Sequence, residues 1–318
     1  MPSYMYVSPG RREFKRLLGN ANHLVITAIV GLDAIERGVV TGIPTELRTV
    51  WSPRDPVKSS KRSRRMLLDM ALVRAVDALD IYIRYSIRKP LLSQSATLRT
   101  EIDKANQSIS GKFAALERHY VGLNEVVRAL VALMISWRNR AAHSLDDTEL
   151  GRAYKDIISN NADDIADRFS GLSVVPLLSG FQEARPPHFK EIASLISATH
   201  HYVVELERVQ FESLDAETFL KELIWKALLQ EKDENETAEQ CRSRRLKSIW
   251  GRDIVGRRRY VDSFLRHHGI SQIETTETKS RVEFSDALLG SLYSRTPAAI
   301  LEWITPAGND PLPETDSS

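Results

Sequence analysis

Residues 137 to 144 read WRNRAAHS and place a cation, an amide and an imidazole close together in the chain. Asn139 and His143 are four residues apart, so they share one face of a continuous helix. The long Arg138 side chain, or a helix that loosens near Ser144, brings the guanidinium to the same place. An imidazole exchanges a proton near neutral pH, and a guanidinium holds a phosphate oxygen with a planar fork. These side-chain types suit metal-free cleavage of RNA, whose 2'-hydroxyl supplies the nucleophile.

The spacing of these residues also resembles that of a known family. Arg138, Asn139 and His143 form the sequence RNxxxH. This sequence is similar to the signature of the HEPN domain ribonucleases, in which an Arg precedes a His by a few residues and a polar residue often follows the Arg directly. The resemblance covers the helical region from roughly residue 10 to residue 170.

The resemblance implies a helical bundle that dimerises, so that two copies of the motif line one cleft. It implies metal-independent endoribonuclease activity without a cofactor, in a toxin-antitoxin or antiviral defence system. A protein that inhibits or activates the enzyme is a further expected partner. In this reading Arg138 stabilises the phosphate, Asn139 positions the phosphate or the imidazole, and His143 is the acid or base.

A structural reading of the same residues remains open. Arg138 and Arg140 mark the point where a buried helix reaches solvent, and cations near a helix C-terminus are favoured by the helix dipole. His143 then simply packs at a turn. Some HEPN proteins bind or scaffold without cutting, so the alternative function is a non-catalytic helical adaptor or nucleic-acid-binding protein.

Two carboxylates lie on an earlier predicted helix. Asp77 and Asp80 are three residues apart and are candidates for orienting His143 or a neighbouring Arg. A solvent-facing role with local ion pairs, such as Asp80 with Arg84, is the favoured alternative.

Two strongly basic segments are candidate RNA-binding surfaces. Residues 54–65 hold six Lys or Arg against one Asp, and residues 242–259 hold eight against one. Trp250 and Tyr260 accompany the second segment, and Arg with aromatic residues is typical of a single-stranded RNA surface. A DNA-contacting module, a protein-contacting face or a plain solvated face are the alternatives. The RNA-binding candidates are Arg62, Arg64, Arg65, Arg140, Arg244, Arg245, Arg257, Arg258 and Arg259.

Composition narrows the class of protein. Cys241 is the only cysteine, so the chain forms no internal disulfide and builds no cysteine-based zinc site. The pairs His200–His201 and His267–His268 are adjacent residues, which point about 100° apart on a helix and chelate poorly. We therefore expect no metal. No stretch of 18 apolar residues occurs, so we expect a cytoplasmic protein without a membrane span.

The hydrophobic periodicity predicts an all-α fold. A chain of 318 residues favours two domains. We predict a HEPN-like helical bundle over residues 1–170, a linker over 171–188, a mainly helical C-terminal domain over 189–305 and a disordered tail over 306–318. The predicted helices cover residues 14–35, 64–88, 97–120, 123–142, 144–169, 189–206 and 220–228, two basic helices ending at Gly269, and a last helix from Pro297 through Trp303. A short hairpin is the expectation for the intervening stretch ISQIETTETKSRVEF.

Overall fold

The computed structural model describes residues 2–40, 54–142, 148–229, 233–273 and 280–305. Within these ranges the chain forms fourteen α-helices and three short β-strands, which confirms the all-α prediction. The chain divides into two compact units. We call Gly10–Arg84 with Ser95–Glu207 the helical unit, and Met1–Pro9 with Tyr85–Gln94 and Arg208–Ser318 the sheet unit.

Nine helices supply the helical unit. They are α1 Pro9–Glu36, α2 Pro56–Ile87, α3 Ala96–Ala105, α4 Ile109–His119, α5 Glu125–Ala142, α6 Arg152–Asn160, α7 Ala162–Arg168, α8 Val174–Gln182 and α9 Phe189–Glu212.

Helix α5 lies in the core of this unit. Val127, Leu130 and Leu133 are fully buried, as the apolar run in the sequence predicts. The helix begins at Glu125 because the Asn124 side chain accepts a hydrogen bond from the Val127 amide at 3.0 Å. The buried body of α5 fixes the position of its last turn, which carries Arg138 and Asn139.

The predicted helix over residues 97–120 is two helices. Asn106 has a positive φ of 49° and follows the last residue of α3. Ser108 then caps α4 by accepting a hydrogen bond from the Gly111 amide at 3.1 Å. Polar residues that favour turns and caps therefore divide the chain into two helices where hydrophobic periodicity alone predicts one.

The helix predicted from Ser144 begins later. Ser144, Asp146 and Asp147 lie outside the described residues. Residues 148–150 are not helical, and α6 begins at Arg152. The Arg140 side chain donates to the Thr148 carbonyl at 2.7 Å. This carbonyl therefore accepts from a side chain in place of the main-chain amide that a helix through Thr148 would supply.

The division between the units differs from the predicted boundary. The segment predicted as a linker contains α8, whose Leu177 and Phe181 are buried. Residues 189–207 belong to the helical unit, where the Ser194 hydroxyl donates to the Phe169 carbonyl at 3.1 Å. The glycines and prolines of 171–188 therefore separate helices within one unit.

The sheet unit holds a small antiparallel sheet. Strand β1 Ser3–Met5 lies between β2 Ile270–Ser271 and β3 Val282–Phe284. The two later strands therefore do not pair with each other as the predicted hairpin requires. An N-terminal strand of three residues carries too little periodicity to be predicted.

Helices complete the sheet unit: α10 Ala216–Ala227, α11 Ala238–Trp250, α12 Ile254–His267, α13 Asp286–Ser294 and α14 Pro297–Ile304. Two predicted helix ends are confirmed. Gly269 takes a positive φ of 84° directly after His268, the C-cap residue of α12. Thr296 caps α14, which begins at Pro297, by accepting a hydrogen bond from the Ala299 amide at 3.3 Å. The predicted tail, residues 306–318, lies outside the described residues.

Helix α1 is long and apolar enough to cross a membrane by length and composition. One such helix near an N-terminus is weak evidence of a span, because core helices and signal sequences share this composition. Its first half packs inward through Phe14 and Leu18, whereas Leu24, Ile26 and Val30 are exposed.

Candidate functional site

The last turn of α5 presents two sides with different surroundings. Arg138 and Arg140 are two residues apart, so their side chains leave the helix about 200° apart. One side contains Arg138 and Asn139, and the other contains Trp137 and Arg140.

On the first side, the Arg138 guanidinium is loosely held. Its Nη2 lies 3.5 Å from Asp77 Oδ1 on α2, and its Nη1 donates to Asn139 Oδ1 at 3.2 Å. Its Nε is buried and has no hydrogen-bond partner among the described residues. The side chain is 24% exposed, and each Nη atom carries a second hydrogen that a phosphate can accept.

Asn139 connects this side to a third helix. Its Nδ2 donates to Ser110 Oγ on α4 at 3.3 Å. The amide oxygen meanwhile accepts from Arg138, so one side chain orients the guanidinium and is itself oriented by α4. The structure therefore brings Asp77, Ser110, Arg138 and Asn139 together from three helices.

The two candidate carboxylates have separate environments. Asp77 contacts Arg138 and, at 3.9 Å, Arg74. Asp80 instead binds Lys112 at 2.6 Å and Arg84 at 2.7 Å. The local ion pair of Asp80 with Arg84 is confirmed, and of the two carboxylates Asp77 is the one beside Arg138.

On the second side, Arg140 is a structural anchor. Its Nε donates to the Thr148 carbonyl at 2.7 Å, and its Nη1 donates to the Phe181 carbonyl at 2.6 Å. Its Cζ lies 4.1 Å from the centre of the Phe181 ring. Trp137 supports the same side by donating from Nε1 to the Arg185 carbonyl at 3.2 Å. These contacts assign Arg140 to holding α8 and the chain after α5, in place of the RNA contact predicted for it.

His143 lies outside the described residues. Helix α5 is described through Ala142, so His143 is the next residue of the chain. The geometry of the Arg-Asn-His group is therefore known for its first two members.

The first basic segment forms the start of α2. Arg64 binds Glu36 at 3.2 Å and lies 3.9 Å from Asp33, so this cation ties α2 to α1. Arg62 and Arg65 are exposed. Two of the three arginines predicted to bind RNA here thus face solvent.

The second basic segment spans α11 and the start of α12, and several of its cations are engaged. Arg257 donates to the carbonyls of Tyr293, Ser294 and Arg295 at 3.0–3.3 Å, which fixes the end of α13. Arg244 binds Glu236 at 2.9 Å and lowers the pKa of that carboxyl to about 2. Arg245 is half-buried. These three arginines, which the sequence predicts to bind RNA, are therefore partly or wholly engaged in contacts within the protein.

Arg258 and Arg259 remain exposed on α12. Of the two predicted aromatic partners, Tyr260 is exposed and the Arg252 guanidinium lies 5.0 Å from its ring centre. Trp250 is fully buried, and its Nε1 donates to the Leu292 carbonyl at 3.2 Å. Trp250 is therefore a core residue and not part of an RNA surface.

Sequence reasoning did not identify Ser110, nor the carbonyls of Thr148 and Phe181 that hold Arg140. A serine within α4 and two backbone carbonyls carry no motif, since their roles arise from helix packing.

Among the described residues, no three His, Cys, Asp or Glu side chains are grouped so that they could hold a metal ion. His200 packs against the Phe14 ring with centres 5.0 Å apart, and burial lowers its pKa.

Comparisons of this chain with known proteins find no relative. The chain matches no family model, no curated protein and no solved structure. The function is therefore inferred from the residues and contacts of this chain alone.

Proposed function

We propose that this protein is a metal-independent endoribonuclease of the HEPN type. The observation that supports this proposal is the loosely held, partly exposed Arg138 guanidinium, oriented by Asn139 at the end of a buried helix and followed in sequence by His143. A helix end that presents a cation with spare donors can stabilise the charge that develops on a phosphate.

The reaction needs no group from outside the protein and the RNA. A base takes the proton of the 2'-hydroxyl, and the 2'-oxygen attacks the neighbouring phosphorus. The bond from phosphorus to the 5'-oxygen breaks, and an acid protonates that oxygen. The products are a 2',3'-cyclic phosphate and a 5'-hydroxyl. His143 is the proposed acid or base, and Arg138 is proposed to stabilise charge on the phosphate oxygens.

In this proposal Asn139 sets the position of Arg138, and Asp77 balances its charge until a phosphate binds. A direct ion pair typically measures about 2.7–2.9 Å, whereas Arg138 and Asp77 are 3.5 Å apart. The Asp77 contact is therefore weak enough for a phosphate to displace it. Asn139 holds the guanidinium plane from its other side at 3.2 Å.

Cleavage of a mixed RNA pool in EDTA tests this proposal. The comparison uses wild type, Arg138→Ala and His143→Ala, with His23→Ala as the control because His23 is an exposed histidine of the same unit. We expect cleavage by wild type and His23→Ala alone, after circular dichroism has shown that all four fold alike. An RNA with a single 2'-deoxy nucleotide should resist cutting at that position. Intact RNA with every protein, under every activating condition tested, would contradict the proposal.

The second candidate function is non-catalytic nucleic-acid binding. The observation that favours it is the set of exposed cations Arg62, Arg65, Arg258 and Arg259. Binding of this kind weakens steeply with salt, because cations displace counterions from the phosphate backbone. It should survive Arg138→Ala and His143→Ala, whereas cleavage should not.

We also propose a role as a toxin or antiviral effector that a protein partner inhibits or activates. An unrestrained ribonuclease slows the growth of its host. Expression of wild type should therefore slow growth, and expression of His143→Ala should not. Equal growth with both proteins, at matched protein levels and with RNA cleavage in vitro, would leave the enzyme without this role.

A further inference from the structure

The side of α1 that faces away from the core is apolar and exposed. Phe14, Leu18 and Val25 are buried, and they lie within about 40° of one another around the helix axis. The exposed residues opposite them form what we call the outer face of α1: His23, Leu24, Ile26, Thr27, Val30 and Gly31. Each of the three large aliphatic side chains in this set is more than half exposed. Single exposed aliphatic residues are ordinary, whereas a cluster on one helix face marks a binding surface.

The outer face of α1 is also uncharged over most of its length. No Asp, Glu, Lys or Arg occurs between Arg16 and Asp33, which are about 25 Å apart along the helix. A helix whose outer side faces water normally carries charged residues there. The apolar part of α1 is only 11% buried in the protein, so its composition is not that of a core helix. The apolar character of this face is therefore not explained by packing within the chain.

The two ends of α1 are fixed to the helical unit, so the helix can lie along a membrane but cannot cross one. Near its start, Phe14 packs against the Tyr82 ring with centres 6.3 Å apart. Near its end, Glu36 binds Arg64 of α2 at 3.2 Å. A membrane span would carry this ion pair and the neighbouring charges of α2 into hydrocarbon, which is costly.

The surroundings of this face are strongly basic. Residues 15–37 and 54–74 hold ten Lys or Arg against four Asp or Glu, whereas the net charge of the whole chain is +2. Because Arg64 binds Glu36, the first turns of α2 lie beside the last turn of α1. Lys15 is exposed at the other end of the apolar face. The exposed cations on the first turns of α2 are Lys58, Lys61, Arg62 and Arg65.

The acidic residues of the same region are engaged within the protein. Asp33 binds Arg37 at 2.7 Å, and Glu36 binds Arg64. Asp55 accepts a hydrogen bond from the Lys58 amide at 2.9 Å at the start of α2. Asp69 is half-buried, and burial raises its pKa. These carboxyls therefore form no acidic patch that would repel an anionic surface.

Apolar surface flanked by cations fits a membrane that contains anionic lipids. Aliphatic side chains enter the boundary between head groups and acyl chains, and a cluster of Lys and Arg binds the lipid phosphates. Protein interfaces instead depend on Trp, Tyr and Arg, and Leu and Val are under-represented at their energetic centres. Single-stranded nucleic acid requires aromatic rings for stacking. The outer face of α1 contains no Trp, Tyr, Phe or Arg.

We propose that the outer face of α1 docks on the surface of an anionic lipid membrane, where the cations at the start of α2 bind lipid phosphates. The protein then lies at the membrane surface without spanning it. This docking is independent of the proposed ribonuclease, because none of its residues belongs to the group around Arg138.

Co-sedimentation of the full chain with vesicles tests the docking. One set of vesicles contains phosphatidylglycerol and phosphatidylcholine, and the other contains phosphatidylcholine alone. We expect wild type to bind the first set more tightly, with an affinity that falls as salt is added. Val30→Asp should lower the partition coefficient at least about 10-fold, because a carboxylate replaces an apolar contact. Val121→Asp is the control, since Val121 is an 86% exposed residue of the same unit outside this face.

Gly31→Leu should strengthen the docking. A Cβ atom at Gly31 would meet no atom within 4 Å, so a leucine fits there and extends the apolar face. We expect the partition coefficient for anionic vesicles to rise about 10-fold. Gly290→Leu is the matched control, because Gly290 is an exposed helical glycine of α13 whose Cβ would also meet nothing within 4 Å. A gain in binding is not an effect that damage to the fold would produce.

The double variant Lys61→Gln with Arg65→Gln tests the contribution of the cations. It should lower the partition coefficient for anionic vesicles about 10-fold or more, and the difference from wild type should shrink at high salt. Arg152→Gln is the control for charge, because the Arg152 side chain is 95% exposed and lies in the same unit.

A fluorescent label at Val30→Cys distinguishes insertion from adsorption. Cys241 is fully buried, so an environment-sensitive thiol dye reacts with the new cysteine. We expect its emission to shift to the blue with anionic vesicles, as the dye leaves water for the boundary of the acyl chains. The same dye at Val121→Cys should show no shift.

Several results would overturn the proposal. Wild type that does not sediment with anionic vesicles overturns it, as does binding that Val30→Asp and Gly31→Leu leave unchanged. Equal binding to both sets of vesicles removes the role of the α2 cations. Loss of RNA binding in Val30→Asp, without vesicle binding by wild type, would show that a nucleic acid covers this face. If the ribonuclease proposal holds, Val30→Asp should cleave RNA at the wild-type rate, so failure of one proposal leaves the other standing.

Discussion

Arg138 and Arg140 share a side-chain type and one turn of α5, yet their surroundings differ. Arg140 donates two short hydrogen bonds to main-chain carbonyls and lies on the Phe181 ring. Arg138 has two contacts of 3.2 and 3.5 Å and a buried Nε without a partner among the described residues.

The difference shows how one helix end separates stability from binding. A cation that already satisfies buried carbonyls cannot leave them without cost, whereas a cation with spare donors can accept a phosphate. We therefore assign the Arg140 side to folding and propose that the Arg138 side is the functional one.

The largest expected effect is loss of cleavage in Arg138→Ala. Removing a donor that stabilises transition-state charge typically costs about 10²–10³-fold in rate. The free energy of unfolding should fall by less than about 1 kcal/mol, since a partly exposed ion pair contributes little. Single-turnover cleavage and urea denaturation measure the two quantities. A large loss of stability with little loss of rate would reverse the assignment.

The next effect is a loss of stability in Arg140→Gln. The Thr148 and Phe181 carbonyls lose a charged donor and Phe181 loses its cation contact, so the free energy of unfolding should fall by about 2 kcal/mol. Chemical denaturation measures it, with Arg152→Gln as the control because the Arg152 side chain is 95% exposed. Cleavage per folded molecule should stay close to wild type, and a normal midpoint for Arg140→Gln would show that the anchor is unimportant.

A smaller effect is expected for Asp77→Asn in dilute RNA-binding assays. Removing the carboxylate beside Arg138 leaves one more uncompensated positive charge, so the affinity for RNA should rise a few-fold at low salt and less at high salt. Asp156→Asn, at a 62% exposed ion-paired Asp of the same unit, is the control for general charge. Weaker binding by Asp77→Asn alone would mean that this carboxylate is needed to position Arg138.

The smallest effect concerns Ser110→Ala. The contact from Asn139 to Ser110 is 3.3 Å long, and the Asn139 amide can turn to water instead. Stability should change by about 0.5 kcal/mol or less, and the cleavage rate should change by less than the few-fold change in RNA affinity expected for Asp77→Asn. A loss of rate as large as that of Arg138→Ala would place Asn139 and Ser110 among the groups that the reaction requires.

The sequence predicts much of the fold because most helices bury a periodic apolar face. Helix α5 is the clearest case, with a buried run followed by polar residues. The prediction fails where a local polar contact interrupts the pattern, as at Asn106 and Ser108, or where a distant side chain holds the backbone, as Arg140 holds Thr148. The prediction also places α9 in the C-terminal domain, whereas residues 189–207 belong to the helical unit. Glycine and proline mark turns, but they do not report which helices pack together.

The candidate site is predictable only in part for the same reason. Arg138 and Asn139 stand out through their types and spacing, and Asp77 through its place on a helix. The motif spacing singles out Arg138, but nothing in the sequence shows that Arg140 is an anchor or that Asp77, and not Asp80, lies beside Arg138. That separation depends on which helices face α5, and contacts between residues far apart in the chain decide it.

The most direct test is a comparison of single-turnover cleavage of one RNA, in EDTA, by Arg138→Ala and Arg140→Gln, each corrected for its folded fraction. The account predicts that Arg140→Gln cleaves at close to the wild-type rate and that Arg138→Ala is slower by about 10²–10³-fold. Equal rates for the two variants, or a greater loss in Arg140→Gln, would contradict the assignment of function to the Arg138 side.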